Sequence, residues 1–382
     1  MKAIVNGKII TEDGILENSS ILFENKIKHI IDTDKLEEYG LEKIVDAKGK
    51  YVSPGFIDIH IHGSGGSDTM DGSIEDIVKI SSTICENGVT TFLPTTMTMS
   101  RDEIYNALEC VRECMKMKLN GAKVLGAHLE GPFINEKYKG AQNPEFIQKP
   151  NYDFVQDYLD VIKIMTLAPE VDKNGEFIKM MKGYSDIVLS IGHTNATYEE
   201  AVDGIEKGIT HATHLFNAMT PLHHRKPGVV GAVLGNDVNC EIIADTIHIH
   251  PGLFQLLVNV KGKDRLILIT DSMRAGCMKC GEYDLGGQKV IVDETSARLE
   301  DGTLAGSILT LNAALKNMYK HTNLKIHELV KMASLNGARE LKIDTLKGSL
   351  KKGKDADITI FDSEFNVCLT IVEGKTVYNN LD

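Results

Sequence analysis

The sequence has no surplus of positive charge: 42 lysines and arginines stand against 54 aspartates and glutamates, a formal net charge of −12. That balance argues against a general nucleic-acid or anionic-membrane surface, so an anionic ligand would have to be held by a few placed groups. Long apolar runs are also missing. No stretch approaches the length of a membrane span, and the opening Met1-Lys-Ala-Ile-Val-Asn-Gly-Lys8 has no continuous apolar segment of the secretory kind, so a cytoplasmic location is expected. The seven cysteines are odd in number and lack framework spacing, which fits a reducing compartment. Their one close pair, Cys277 and Cys280, has no second pair or nearby histidine to complete a zinc site and is left outside the chemistry. Internal repeats and low-complexity tracts are absent.

What is present is enough apolar material, 42% of 382 residues, for one large domain and a smaller one. Eight short apolar runs read as buried strands: 55–62, 89–94, 122–130, 161–168, 187–193, 209–214, 240–246 and 266–271. Most are separated by segments of helical spacing, as with Ile74, Ile77, Val78 and Ile84 ahead of Gly88. Strands alternating with helices predict an α/β fold, a (β/α)₈ TIM-like barrel with its active site at the carboxyl ends of the strands. Residues 1–50 and the tail from Gly348 (348–382) are instead rich in short β-type runs, too few at either end for an independent core. Both are expected to meet in one small β-sandwich beside a barrel of residues 51–347.

Six groups able to bind or activate a metal fall where these runs give out: His60, His62, Glu130, His193, His214 and Asp271. Strand alternation puts Asp58, His60 and His62 on one face, and Glu130 and His193 on the inward parity of their own runs. Groups from separate strands would then converge in the barrel mouth. Imidazoles with a carboxylate suit a borderline divalent ion, zinc or iron, and three protein ligands, Glu130, His193 and His214, leave a position open for water. Such an ion activates water and polarises a carbonyl, which is hydrolytic chemistry. Asp271 is the candidate to take the proton and deliver it to a leaving amine.

The motifs resemble a known family. Pro54-Gly-Phe-Ile-Asp58 with His60-Ile-His62, His128-Leu-Glu-Gly-Pro-Phe133, Thr166-Leu-Ala-Pro-Glu170, Gly192-His-Thr194, Thr213-His-Leu-Phe-Asn-Ala-Met219, Ile243-Ala-Asp245 with His248, Thr270-Asp271 and Leu304-Ala-Gly-Ser307 are similar, nearly end to end, to the N-acetylglucosamine-6-phosphate deacetylases of the amidohydrolase superfamily. The resemblance implies Glu130, His193 and His214 as principal metal ligands and Asp271 as catalytic acid/base. It places substrate contacts on Ala141, Gln142, Asn217, Ala218, Arg225, His248 and the loop Leu304, Ala305, Gly306 and Ser307. Some relatives carry histidine where this chain has Gln142, and others lack the His-x-His pair and use one metal. Retention of His60 and His62 here points to a second ion bridged through Glu130, hence one or two ions per subunit.

The implied substrate is a phosphorylated amino sugar, deacetylated by metal-assisted amide hydrolysis, and the implied assembly is a homodimer with its sites near the subunit interface. Arg225 is then the phosphate contact, and of His248 and His250 only His248 is expected at the site. His128 and His211 receive structural readings. The nearest rivals are other amidohydrolases, an adenine deaminase or a dihydroorotase-like cyclic amidase; a binding protein that has lost catalysis is disfavoured by the intact Glu130, His193, His214 and Asp271.

Overall fold

Each of the eight apolar runs contains a strand in the computed structural model, which describes residues 1–381. The first two, Phe56–Ile61 and Val89–Pro94, are buried at every position, as expected of parallel strands covered on both faces. The third run is split. Its first half, Lys123–Val124, pairs with Val89–Pro94, and its second, Ala127–Glu130, pairs with Ile162–Leu167. The break falls at Gly126, with φ at +156° and its missing Cβ directed at the Val161 carbonyl, only 2.4 Å away, so a side chain would not fit. The remaining strands, Val188–Ile191, His211–Ala212, Asn239–Ile243 and Leu266–Ile269, continue in sequence order, every neighbouring pair parallel.

The result is a curled parallel sheet in two pieces of three and six strands. At one seam Thr96 N–H donates to the His128 carbonyl (3.0 Å), and at the other Asp271 N–H donates to the His60 carbonyl (2.9 Å). Helices cover the outside. Ile74–Cys85, capped by Ser73 Oγ, which accepts from Asp76 N–H at 3.1 Å, buries Ile77, Ile80 and Ile84 against it.

The two ends of the chain share a sheet, in the order Lys375–Asn379, Val367–Val372, Ile358–Phe361, Tyr51–Pro54, Lys8–Ile10, Ile15–Leu16. A second sheet runs Ile27–Asp32, Ser19–Phe23, Lys2–Val5, Lys43–Asp46. Ile4, Ile21 and Phe23 pack with Val52, Ile358 and Ile371 in one apolar cluster. Tyr51–Pro54 thus pairs with the terminal strands, four residues beyond the boundary expected at residue 50, because the chain enters the parallel sheet only after Gly55.

One element was not anticipated. Gly281–Leu285, Gln288–Val292 and Ala297–Leu299 form a three-stranded antiparallel sheet inserted after the last parallel strand. Leu285, Val290, Val292 and Ala297 pack there on Met97, Ala141, Met273 and Ala305, so the insertion walls one side of the sheet's carboxyl end.

Candidate active site

Three of the groups that end strands have left-handed backbone: His193 at φ 48°, His214 at 28° and Asp271 at 49°. For non-glycine residues this conformation costs on the order of 1–3 kcal/mol each and persists only where the surroundings enforce it. Asp271 is enforced from both sides, by its own N–H on the His60 carbonyl and by Ser307 N–H on the Asp271 carbonyl at 2.7 Å. The strain turns the three side chains toward a common floor.

On that floor His193 Nε2 and His214 Nε2 stand 3.2 and 3.0 Å from Glu130 Oε1 and 3.1 Å from each other. His60 Nε2 lies 3.4 Å from both Glu130 Oε1 and Asp271 Oδ1, and His62 Nε2 lies 3.3 Å from Glu130 Oε2 and 3.2 Å from Asp271 Oδ1. Burial alone would push Glu130 upward, but His60 and His193 hold it well below the usual glutamate range. Asp271 is likewise held down by His60 and His62 against its burial.

The imidazole partners fix which nitrogen faces inward. His193 Nδ1 donates to the Tyr138 carbonyl (3.0 Å), His62 Nδ1 to the Thr95 carbonyl (3.2 Å) and His60 Nδ1 to Glu241 Oε2 (2.9 Å). Those oxygens can only accept, so each ring keeps a proton on Nδ1 and turns Nε2, the nitrogen that would ligate an ion, to the centre. His60 Nε2 is buried there with no hydrogen-bond partner. Ligands about 2.0–2.1 Å from a tetrahedral ion lie about 3.3 Å apart, the spacing seen here. Glu130 with His193 and His214, and Glu130 with His60 and His62, are therefore two donor sets that fit a divalent ion, sharing one carboxylate.

Above the floor opens a cavity of about 500 Å³ lined by Glu130, His62, His193, His214, Asp271, Ala141, Gln142, Asn217, Ala218, His248, Leu304 and Gly306. Most of the expected substrate contacts therefore meet. Gln142 Nε2 donates to Glu130 Oε2 (2.8 Å) while its Oε1 accepts from Thr98 N–H (2.6 Å), so it orients the shared carboxylate as well. His248 Nδ1 donates to Asp245 Oδ2 at 2.6 Å, leaving Nε2 for the cavity, whereas His250 is exposed and caps the turn Pro251–Leu253.

Three expected contacts stand elsewhere. Ala305 packs under the antiparallel insertion, and Ser307 Oγ donates to the Thr270 carbonyl at 2.6 Å. Leu304 and Gly306 line the cavity while Ala305 and Ser307 do not, the chain turning at Gly306, whose φ is +60°. Arg225 lies on an exposed loop outside this cavity, its guanidinium bonded to His224 Nε2 at 2.7 Å; it lines a neighbouring groove with Tyr198 and Lys226.

His128 keeps its structural reading, with Nδ1 on the Ile59 carbonyl (3.1 Å) and Nε2 on Thr166 Oγ1 (2.7 Å); burial pushes it down to about 3, a neutral ring. His211 is buried between Glu241 and Glu340, which outweigh the burial and raise it to about 10. The sequence reading passed over Glu241, although an acid inside the apolar run Cys240–Ile243 is itself a signal. It also passed over the cavity residues Lys137, Tyr138, Arg298 and Thr303.

A family model, Amidohydrolase family, matches residues 51–377. The chain belongs to the amidohydrolase family. Among similar amidohydrolases, an N-acetylglucosamine-6-phosphate deacetylase of Lysinibacillus sphaericus is 44% identical over 87% of this chain and 86% of its own length. One of Bacillus subtilis (strain 168) is 41% identical over 97% and 95%. A solved N-acetylglucosamine-6-phosphate deacetylase from Pasteurella multocida superposes with a TM-score of 0.92 at 32% identity, covering 98% of this chain and 99% of its own.

Proposed function

We propose that this amidohydrolase removes the N-acetyl group of N-acetylglucosamine 6-phosphate, releasing acetate and glucosamine 6-phosphate. The observation that carries the reading is the meeting of Glu130 Oε1, His193 Nε2 and His214 Nε2 within 3.0–3.2 Å at the floor of a sugar-sized cavity, beside Asp271. The names of relatives above 40% identity support the substrate. The eight strand runs in sequence order, the third split in two and the set bonded across both seams, support a (β/α)₈ barrel; the terminal sheets, sharing one apolar cluster, support a composite β-sandwich beside it.

Glu130, His193 and His214 would hold one divalent ion, zinc or iron, and His60 and His62 with Glu130 a second. A divalent ion there supplies an activated water and polarises the amide carbonyl. Asp271, ionised and within reach of the same floor, accepts the proton of the attacking water and returns it to the leaving nitrogen. Asn217, Ala218 and His248 orient the sugar phosphate, while Leu285 and Leu304 exclude bulk water from the acetyl end. The reading includes a homodimer: Leu222, 56% exposed, and Arg225 stand on the loop 220–228, where a second copy would cover them. Among the described residues no helix is long and apolar enough to cross a membrane, and we place the enzyme in the cytoplasm.

The test is acetate release from N-acetylglucosamine 6-phosphate, N-acetylglucosamine, adenine and dihydroorotate, the last two read as ammonia release and ring opening. We expect turnover of the first alone at a useful rate, lost on chelation and restored by a divalent ion. Full activity in metal-free protein, or turnover of a ring substrate instead, refutes the reading.

A further inference from the structure

Glu241 takes no part in the mechanism above, yet it is fully buried in the apolar strand Asn239–Ile243. A carboxylate in such a place persists only against several charge-assisted hydrogen bonds. Its Oε2 accepts from His60 Nδ1 at 2.9 Å and from the backbone N–H of His214 at 3.0 Å, and its Oε1 accepts from His211 Nε2 at 3.2 Å. His211 is bracketed on its other side by Glu340 Oε1 at 3.0 Å, so it serves as the buried countercharge. The strand's own backbone joins in, the Glu241 carbonyl accepting from Leu215 N–H at 3.0 Å.

We propose that Glu241 is the positioning residue that makes His60 a metal ligand and links the two donor sets of the centre through one carboxylate. An ionised carboxylate can only accept, so the Nδ1 proton of His60 is held by Glu241 and Nε2 is presented between Glu130 and Asp271, where it would ligate an ion. The same oxygen steadies the backbone of His214, whose φ of 28° needs support, at the other donor set. Glu241 is not itself a ligand. The grouping of His60, His128 and Glu241 is not an ion site, since both nitrogens of His128 are engaged and all three side chains are fully buried. The inference rests on the metal-dependent reading but not on the substrate.

The experiment counts ions rather than turnover. Metal-stripped full-length protein is titrated with Zn²⁺ by calorimetry, with bound ions counted by elemental analysis, for the wild type, Glu241→Gln, Glu241→Leu and the double variant of Glu241→Leu with His60→Asn. We expect two ions per wild-type chain. Glu241→Leu should weaken the second ion about 10–100-fold, the usual scale for an outer-shell partner of a ligand, and weaken the first ion far less. Glu241→Gln keeps an acceptor but loses the charge, so it should fall between. In the His60→Asn background, Glu241→Leu should not alter the number of ions bound.

Wild-type affinity for both ions in Glu241→Gln and Glu241→Leu overturns the proposal while leaving the proposed activity intact. A single ion in the wild type, or equal loss of both ions in the variants, overturns it as well. If Glu241→Leu fails to fold, Glu241→Gln alone decides. No ion in any protein defeats this inference and the metal-dependent reading together.

Discussion

Two of the places where the molecule buries charge are built on opposite principles. Where the terminal segments meet the parallel sheet, Lys347 Nζ sits 2.6 Å from Asp357 Oδ2 and 3.0 Å from Asp355 Oδ2, with Lys26 also on Asp355 at 2.8 Å. Lys354 completes the cluster by donating to the Lys347 carbonyl at 3.1 Å and to Ser349 Oγ at 2.6 Å. Cations meet anions and the hydrogen-bonding capacity is used up internally. At the carboxyl end of the parallel sheet, two carboxylates and the Nε2 atoms of four imidazoles converge on the same space, and His60 Nε2 is left without a partner. The first arrangement is complete as it stands; the second is complete only with a cation from outside. Burial of charge alone does not mark a site. Convergence of acceptors does.

That contrast is sharpened most by Asp271→Asn. The side chain keeps its size but cannot accept a proton, so turnover of N-acetylglucosamine 6-phosphate should fall ~10²–10⁴-fold while the ion content stays near that of the wild type. Because His60 and His62 hold Asp271 below the ordinary aspartate range despite its burial, the wild-type carboxylate remains an acceptor at neutral and mildly acidic pH. A near-normal rate in the variant, without deamidation back to aspartate, would remove Asp271 from the chemistry.

The opposite outcome is expected at the closed cluster. Lys347→Met strips the countercharge from buried Asp357 and should cost about 3–5 kcal/mol of stability, read by denaturant unfolding, while kcat and ion content of the folded protein hold. Burial works against the ammonium, but Asp357 and Asp355 prevail and raise Lys347 above the ordinary 10.5. A group raised in the folded state stabilises below its unfolded pKa and loses that contribution as pH climbs through the folded one. Wild-type melting temperature should therefore drop at strongly alkaline pH, and the Met variant should show less of that drop. Loss of activity without loss of stability would mean that the two clusters are coupled.

The sequence showed the converging cluster more readily than the closed one, for a physical reason. Strands covered on both faces are continuous apolar runs, and a histidine or acid at the end of such a run stands out, as His193, His214 and Asp271 do. The insertion escaped because its strands are half exposed and form no continuous apolar run: Gly281–Leu285 buries only Leu285, and in Gln288–Val292 buried Val290 and Val292 alternate with exposed Lys289 and Ile291, although that alternation beside Gly286-Gly287 is itself a hairpin signal. Glu241 escaped because the run around it was read for its apolar residues. Arg225 shows the remaining gap. No periodicity says which way a loop side chain points, and the same holds for Ala305 and Ser307, whose direction is set by the left-handed turn at Gly306.

The smallest effect expected concerns which arginine meets the phosphate. Within the chain, the cavity wall carries Arg298 rather than Arg225. Arg298 is half-buried, with Nε donating to Ser296 Oγ at 3.2 Å and Nη1 to the Gly302 carbonyl at 2.9 Å, which fixes the guanidinium and leaves other N–H groups of its fork for an anion. One charged hydrogen bond is worth roughly 1.5–3 kcal/mol, so Arg298→Ala should lower kcat/KM for the phosphorylated sugar by about one to two powers of ten. Turnover of N-acetylglucosamine, expected to be poor in the wild type, should change little. Arg225→Ala run beside it is the control that decides. If it erases the preference for phosphate while Arg298→Ala does not, the phosphate is held from the 220–228 loop, and the wall built by the antiparallel insertion shapes the cavity without reading the charge.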